Sequence, residues 1–214
     1  MLLIAVATDK EIKPLARSLT VDRFKVLVMG MGPVAAAASL SNYLTLHSRG
    51  INGVLNIGVA GAYPAAGIGM LDICLAHKEF LGDFGICRQD GVDDFDPELV
   101  GQNNGLPFEN ELVSQCVKIL HDQSIPFTMT NFVTVNCSSA TRERGEFFRK
   151  KFTAGCENME GAAVAMVCKN FNIPCVELRC ISNMVEKRNK AEWRLSEAIE
   201  KLCQVVGVIL HGGM

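Results

Sequence analysis

Cys156-Glu157-Asn158-Met159-Glu160-Gly161-Ala162-Ala163, with Arg179-Cys180-Ile181-Ser182-Asn183 a little further on, decides the fold. In each segment an apolar strand runs out into small and polar residues, and in the first a helix starts at once, at Glu160. In α/β sheets, ligands sit beyond the carboxyl ends of the strands. A carboxylate and a carboxamide delivered there by neighbouring strands suit a ligand that carries both hydroxyls and a heterocycle. Glu11, near the N-terminus, adds a second carboxylate just past the first strand.

The rest of the chain continues this pattern. Strand-like runs cover residues 2–7, 24–29, 53–57, 71–76, 127–135 and 174–180. Several are continuous apolar stretches bounded by Gly or polar residues, which suits strands buried on both faces. Helix-like segments lie between them, at 33–47, 108–123, 140–152 and 160–170, and a last helix is expected over 190–210. Strands alternating with helices imply a largely parallel sheet with helices on both faces. Residues 82–107 are rich in Asp, Gly and Asn and read as a long excursion, of the kind that is functional or mobile. No repeat, linker or low-complexity tract divides the chain.

At 214 residues the chain has the length of one domain, or of a large one with insertions. A hydrophobic share of 49% beside 21% charged residues is that of a globular protein with a filled core. The net charge of -2 offers no long basic face, so nucleic acid is not an expected partner. The apolar start, Met1 to Ala7, is too short for a membrane span and lacks the basic flank of a signal peptide, so it reads as a buried first strand. Nine cysteines are scattered, odd in number and never at C-x-x-C spacing. They read as reduced core thiols in a cytosolic protein, not as a metal site, a disulfide framework or a catalytic nucleophile.

Gly30-Met31-Gly32-Pro33-Val34-Ala35 follows a strand and opens an Ala-rich helix, so it fits the dinucleotide fingerprint G-x-G-x-x-A. That fingerprint wants an acid at the end of the next strand, and residues 49–56 contain none. Two readings remain: a tight turn for close helix packing, or a loop whose helix-terminal amides line a nucleoside or anion pocket. Glu11 is either a surface carboxylate or a base in the pocket. Glu160 is either a first-turn acid favoured by the helix dipole, or a ligand for a ribose diol, with Gly161 and Ala162 permitting close backbone approach.

These residues, with Asn56-Ile57-Gly58-Val59-Ala60-Gly61, occur in an order that resembles the nucleoside phosphorylase and nucleosidase superfamily over nearly the whole chain. Any one motif is weak; five in sequence are specific. Residues 181–189, with Trp193 soon after, are most similar to the futalosine hydrolase branch, close to the methylthioadenosine/S-adenosylhomocysteine nucleosidases. The resemblance implies a three-layer α/β/α domain of phosphorylase type with a central mixed, largely parallel sheet. It implies hydrolysis of the N-glycosidic bond of a 6-oxopurine nucleoside, without metal or organic cofactor, by a homodimer or larger homo-oligomer. Glu160 would hold the 2′ and 3′ hydroxyls, Glu11 would deprotonate the attacking water, and Asn183 would face N7 and O6 of the base. Phe132 would stack on the purine and Met159 lie beneath the ribose. Gly61 and Ser182 would complete the substrate pocket, and Arg188 could pair with a carboxylate at the far end of the substrate.

Two departures from the family pattern sharpen this expectation. The adenosine-type nucleosidases carry Asp where this chain has Asn183. The related phosphorylases hold phosphate with a hydroxyl residue where this chain has Val59, and no Arg lies in the loop 30–33. An apolar Val cannot pair with a phosphate dianion, and unpaired buried charge is costly, so water is the expected nucleophile. The alternatives are another nucleosidase of the superfamily, a phosphorylase, or a non-catalytic nucleoside sensor.

Overall fold

The computed structural model describes residues 1–16, 24–89, 91–101, 104–187 and 189–212. In chain order the elements are β1 (Leu2–Val6), α1 (Asp9–Ala16), β2 (Phe24–Val28), α2 (Pro33–His47), β3 (Gly53–Ala62), β4 (Ile73–Leu81), β5 (Ile86–Cys87), β6 (Val92–Asp93), α3 (Pro97–Val100), β7 (Leu106–Pro107), α4 (Glu111–Asp122), β8 (Thr128–Thr134), α5 (Arg142–Phe152), β9 (Ala154–Asn158), α6 (Gly161–Phe171), β10 (Cys175–Met184) and α7 (Leu195–His211). The apolar runs make the central strands: β1 is buried at every position, and β3 and β10 nearly so. The helices start where the sequence caps them. Asn110 accepts from Val113 N–H ahead of α4, and Thr141 accepts from Arg144 N–H ahead of α5. Pro33 opens α2, where its missing N–H costs nothing.

Eight strands form the main sheet among the described residues, in the order β10-β4-β8-β9-β3-β1-β2, with β7 on the edge of β4. Most pairs are parallel, but β10 and β7 run antiparallel to β4, and β3 antiparallel to β9. Helices flank it: α1 packs on α7, and α2 on α6. Strands alternating with helices thus give the mixed, largely parallel sheet expected. The closure differs from an open sheet. β10 also pairs with β3 in parallel, from Cys175↔Val54 to Met184↔Ala62, so β3, β10, β4, β8 and β9 form a ring. β1 and β2 extend from that ring as a parallel tail.

Other boundaries moved for local reasons. β3 and β10 both run past the expected 57 and 180, to Ala62 and Met184, because the two strands pair with each other there and β9 pairs with the end of β3. The last helix starts at Leu195, after a short turn over 190–192. The excursion 82–107 is not structureless: it holds the β5–β6 hairpin, α3 and β7, and Lys151 of α5 ties it down through Asp94 (2.8 Å) and the Val92 carbonyl (2.8 Å).

Candidate active site

The site arises where two strands share one edge of β3. β1 pairs with β3 only as far as Ala5↔Asn56, and β9 takes over the same strand only at Gly61↔Glu157. Between them β3 is left open over 57–60, and a cavity of about 670 Å³ lies against this gap. That volume falls in the range of small-molecule sites. Its lining includes Glu11, Val59, Gly61, Met159, Glu160 and Asn183.

Glu11 closes the gap. It sits in the first turn of α1 and is 6% exposed. Its Oε2 accepts from both the Thr8 N–H and the Thr8 hydroxyl, each at 3.0 Å, and its Oε1 accepts from the Val59 N–H at 3.2 Å. The bonds to Thr8 are one arm of a capping box, in which the third helical residue reaches back to the cap. Three donors on two carboxylate oxygens leave Oε1 with acceptor capacity facing the cavity. Gly58 makes room beside it. A Cβ there would strike the Arg179 guanidinium and stand 2.9 Å from Glu11 Oε1.

Glu160 occupies the cap position of α6. Its Oε1 accepts from the Gly32 N–H at 2.9 Å, across 128 residues, and its Oε2 faces Arg179 Nη1 at 3.6 Å. The loop of Gly30 and Gly32, both at positive φ, therefore does have its helix-terminal amide turned to the pocket. Its partner is a side chain of the protein. Asn158 holds the turn that presents Glu160: its Oδ1 accepts from the N–H groups of Glu160 (2.9 Å) and Gly161 (2.7 Å). Arg179 is fully buried, and the carboxylates of Glu177, Glu160 and Glu11 hold its charge firmly in place.

Asn183 lines the same cavity. The ladder between β10 and β3 slips between Ile181 and Asn183, so Ser182 is the extra residue of a bulge that re-aims the carboxamide. The Ser182 hydroxyl lies 3.0 Å from Asn183 Oδ1, and Asn183 Nδ2 donates to the Met184 carbonyl at 3.3 Å. Gly61 lies opposite in register; a Cβ there would come within 3.0 Å of Asn183 Nδ2. Trp193 also lines the cavity, and the Arg194 N–H donating to the Ser182 carbonyl (2.9 Å) fixes that segment beside Asn183.

Six of the residues expected from sequence thus meet at one cavity: Glu11, Glu160, Asn183, Gly61, Met159 and Ser182. Phe132 does not. It is fully buried in the main core, opposite Cys156, and is not part of the lining. Side chains alternate faces along a strand, and Phe132 falls on the core side; Val135 and Ser138 take up this wall instead. Arg188 lies outside the described residues. Sequence reasoning assigns no role to Thr8, nor to Asn158, Arg179 and Glu157 within the quoted motifs. The first belongs to a Thr-x-x-Glu capping signature that was legible. Glu157 lines the cavity too. Burial pushes its carboxyl up, while its Oε1 accepts from the Ser139 N–H at 2.7 Å.

Two hydrogen-bonded carboxylates and a carboxamide thus line one cavity of small-molecule size. Residues 6–210 match the Phosphorylase superfamily, and the chain belongs to it. A futalosine hydrolase of Thermus thermophilus is 29% identical over 91% of this chain and 84% of its own length. One of Streptomyces coelicolor is 31% identical over 87% of this chain and 78% of its own. The structure of a Helicobacter pylori futalosine hydrolase superposes with a TM-score of 0.85 at 22% identity, covering 98% of this chain and 97% of that one, which shows the shared fold.

Proposed function

We propose that this chain hydrolyses the N-glycosidic bond of futalosine, releasing hypoxanthine and dehypoxanthine futalosine in menaquinone biosynthesis. Futalosine hydrolases of two organisms align with it over most of their length. The observation that carries hydrolysis, as against phosphorolysis, is the Glu160–Gly32 bond at 2.9 Å. Helix N-terminal amides are ready-made phosphate sites. Here the amide at the start of α2 already carries a carboxylate, which would repel a phosphate dianion, and the neighbouring wall is the apolar Val59.

In this reading the ribose lies between Met159 and the two acids. The remaining lone pairs of Glu160 accept from the 2′ and 3′ hydroxyls, and the carboxylate stabilises positive charge as it develops at the anomeric carbon. Water is activated at Glu11 Oε1, the carboxylate being oriented by the bonds of Oε2 to Thr8 and of Oε1 to Val59. Asn183 accepts from N7–H and donates to O6 of the departing hypoxanthine. The same reading places the protein in the cytoplasm as a homodimer or larger assembly. Seven of its nine free cysteines are buried, which suits a reducing compartment.

Base release from futalosine, aminofutalosine and inosine, followed chromatographically, tests the reading. Hypoxanthine should leave futalosine with the highest efficiency of the three. No base release from futalosine, or a preference for either other nucleoside, would overturn it.

A further inference from the structure

Behind the cavity wall lies a set of buried charges that the chemistry above does not use. Glu79 of β4 and Glu177 of β10 are both fully buried, and both converge on Gly161, the first residue of α6. A Cβ on Gly161 would strike Glu79 Oε1 and stand 2.5 Å from Glu177 Oε2 and 2.6 Å from Oε1, so only glycine lets the two carboxyl groups meet here.

Their partners are unequal. Glu177 Oε1 binds Arg179 through both Nε and Nη2, at 2.8 Å each, so its charge is matched. Its Oε2 is buried without a hydrogen-bond partner. Glu79 has no cation at bonding distance among the described residues. Its Oε1 accepts from the Thr134 hydroxyl (3.1 Å) and the Asn158 amide, and its Oε2 from the Phe80 N–H (3.1 Å). Two carboxylates flanking the same glycine away from water cannot both stay ionised without cost, and the one without a cation keeps the proton. Burial and the neighbouring Glu177 charge push the Glu79 carboxyl up, whereas Arg179 pulls that of Glu177 back.

We propose that Glu79 is a positioning residue held as a neutral carboxylic acid, its O–H donating to the otherwise unpartnered Glu177 Oε2, and that this shared proton sets the geometry of Glu160. The inference rests on the role given above to Glu160. Two connections run from Glu79 to that carboxylate. One passes through Glu177 and Arg179, whose Nη1 faces Glu160 Oε2. The other passes through Asn158, which Glu79 orients by its amide nitrogen and which caps the Glu160 turn with its oxygen. Other titratable groups also act on this cluster: Glu160 adds negative charge at Glu177, and Glu11 adds it at Arg179. Tyr63 and Cys156, both buried, sense Glu79 in turn. Ionising Glu79 would place a second charge beside Glu177 and draw Arg179 away from Glu160.

The test combines infrared difference spectroscopy with kinetics on Glu79→Gln, Glu79→Ala and Glu177→Gln. A neutral acid is mimicked by an amide of the same shape, whose NH₂ can donate to Glu177 Oε2 while its oxygen keeps the Phe80 N–H. Glu79→Gln should therefore restore kcat/KM on futalosine to within about threefold of native, where Glu79→Ala loses about tenfold or more. Glu177→Gln removes a charge that Arg179 needs, and should also lose at least about tenfold. At neutral pH the native-minus-Glu79→Gln difference spectrum should show the carbonyl stretch of a protonated carboxylic acid, any band from the buried Glu157 cancelling between the two proteins. A difference spectrum without that band, or a Glu79→Gln as impaired as Glu177→Gln, would overturn the proposal. The infrared result is independent of substrate, so it separates this inference from the reading of futalosine as the substrate.

Discussion

Replacing Glu11 by Gln would separate its proposed role as the base toward water from its hydrogen bond to β3 at Val59. The carboxylate accepts three hydrogen bonds, from Thr8 N–H, Thr8 O–H and Val59 N–H. An amide has one acceptor oxygen. With that oxygen turned to Thr8, the amide NH₂ faces the Val59 N–H, and one buried donor loses its partner. The cost is about 1–3 kcal/mol, which a domain with about 5–15 kcal/mol of stability survives. The chemical loss should be larger: a neutral amide cannot take a proton from water, and removing a general base costs roughly 10²-fold or more in turnover. The assay is initial-rate release of hypoxanthine from futalosine, with urea unfolding run in parallel on the same preparation. Thr8→Val is the control, since it removes one donor to Oε2 but keeps the carboxylate; it should lose less than about tenfold. Turnover by a folded Glu11→Gln within about threefold of native would refute the base, and an equal loss in Thr8→Val would reduce Glu11 to a clamp.

Asn183→Asp replaces the O6 donor with a second acceptor. Leaving that buried pair mismatched costs about 1–3 kcal/mol, so the ratio of futalosine to aminofutalosine efficiency should fall by roughly one to two powers of ten; an unchanged ratio would leave Asn183 as a strand-end residue only. Phe132→Ala should destabilise the fold by about 3–5 kcal/mol, as for large core residues, while the KM of the folded fraction for futalosine stays within about twofold. A tenfold rise in KM at native stability would return Phe132 to the pocket. Because the folded protein raises the Glu79 carboxyl above its unfolded value, it binds the extra proton, so this stability is complete below the unfolded pKa and is lost as pH rises through the folded one. Glu79→Gln should flatten that decline by up to about 1.4 kcal/mol per pH unit, one proton's worth; urea midpoints with the same pH slope in both proteins would contradict it.

The parts of the fold legible in the sequence were those where burial is uniform. β1, β3 and β10 show as continuous apolar runs, and the helix starts show as Pro33 and the caps around them. The ring closure did not show. It depends on β9, Ala-Gly-Cys-Glu-Asn, whose end is legible as a strand running out into Glu160 but whose pairing with both β3 and β8 nothing in its own sequence dictates. α1 was missed because half of its eight residues are charged, with Pro14 inside; it is held by packing on α7 and by Glu11 bonded to Thr8. In the site, residues at strand ends were legible, because polar groups there have few structural reasons to exist. Phe132 failed on parity, since a one-residue shift along a strand turns a side chain to the other face. Arg179 and Glu177 sit mid-strand in an apolar run, and only the fold reveals that their charges meet Glu160.

The most direct measurement is the identity of the sugar product formed from futalosine by the native enzyme with and without saturating inorganic phosphate, read by mass. A bond cleaved by water gives dehypoxanthine futalosine as the free reducing sugar under both conditions, with hypoxanthine released at the same rate. A sugar 1-phosphate, or base release that requires phosphate, would contradict the assignment of the α2 amide to Glu160 and with it the account of this site as a hydrolase.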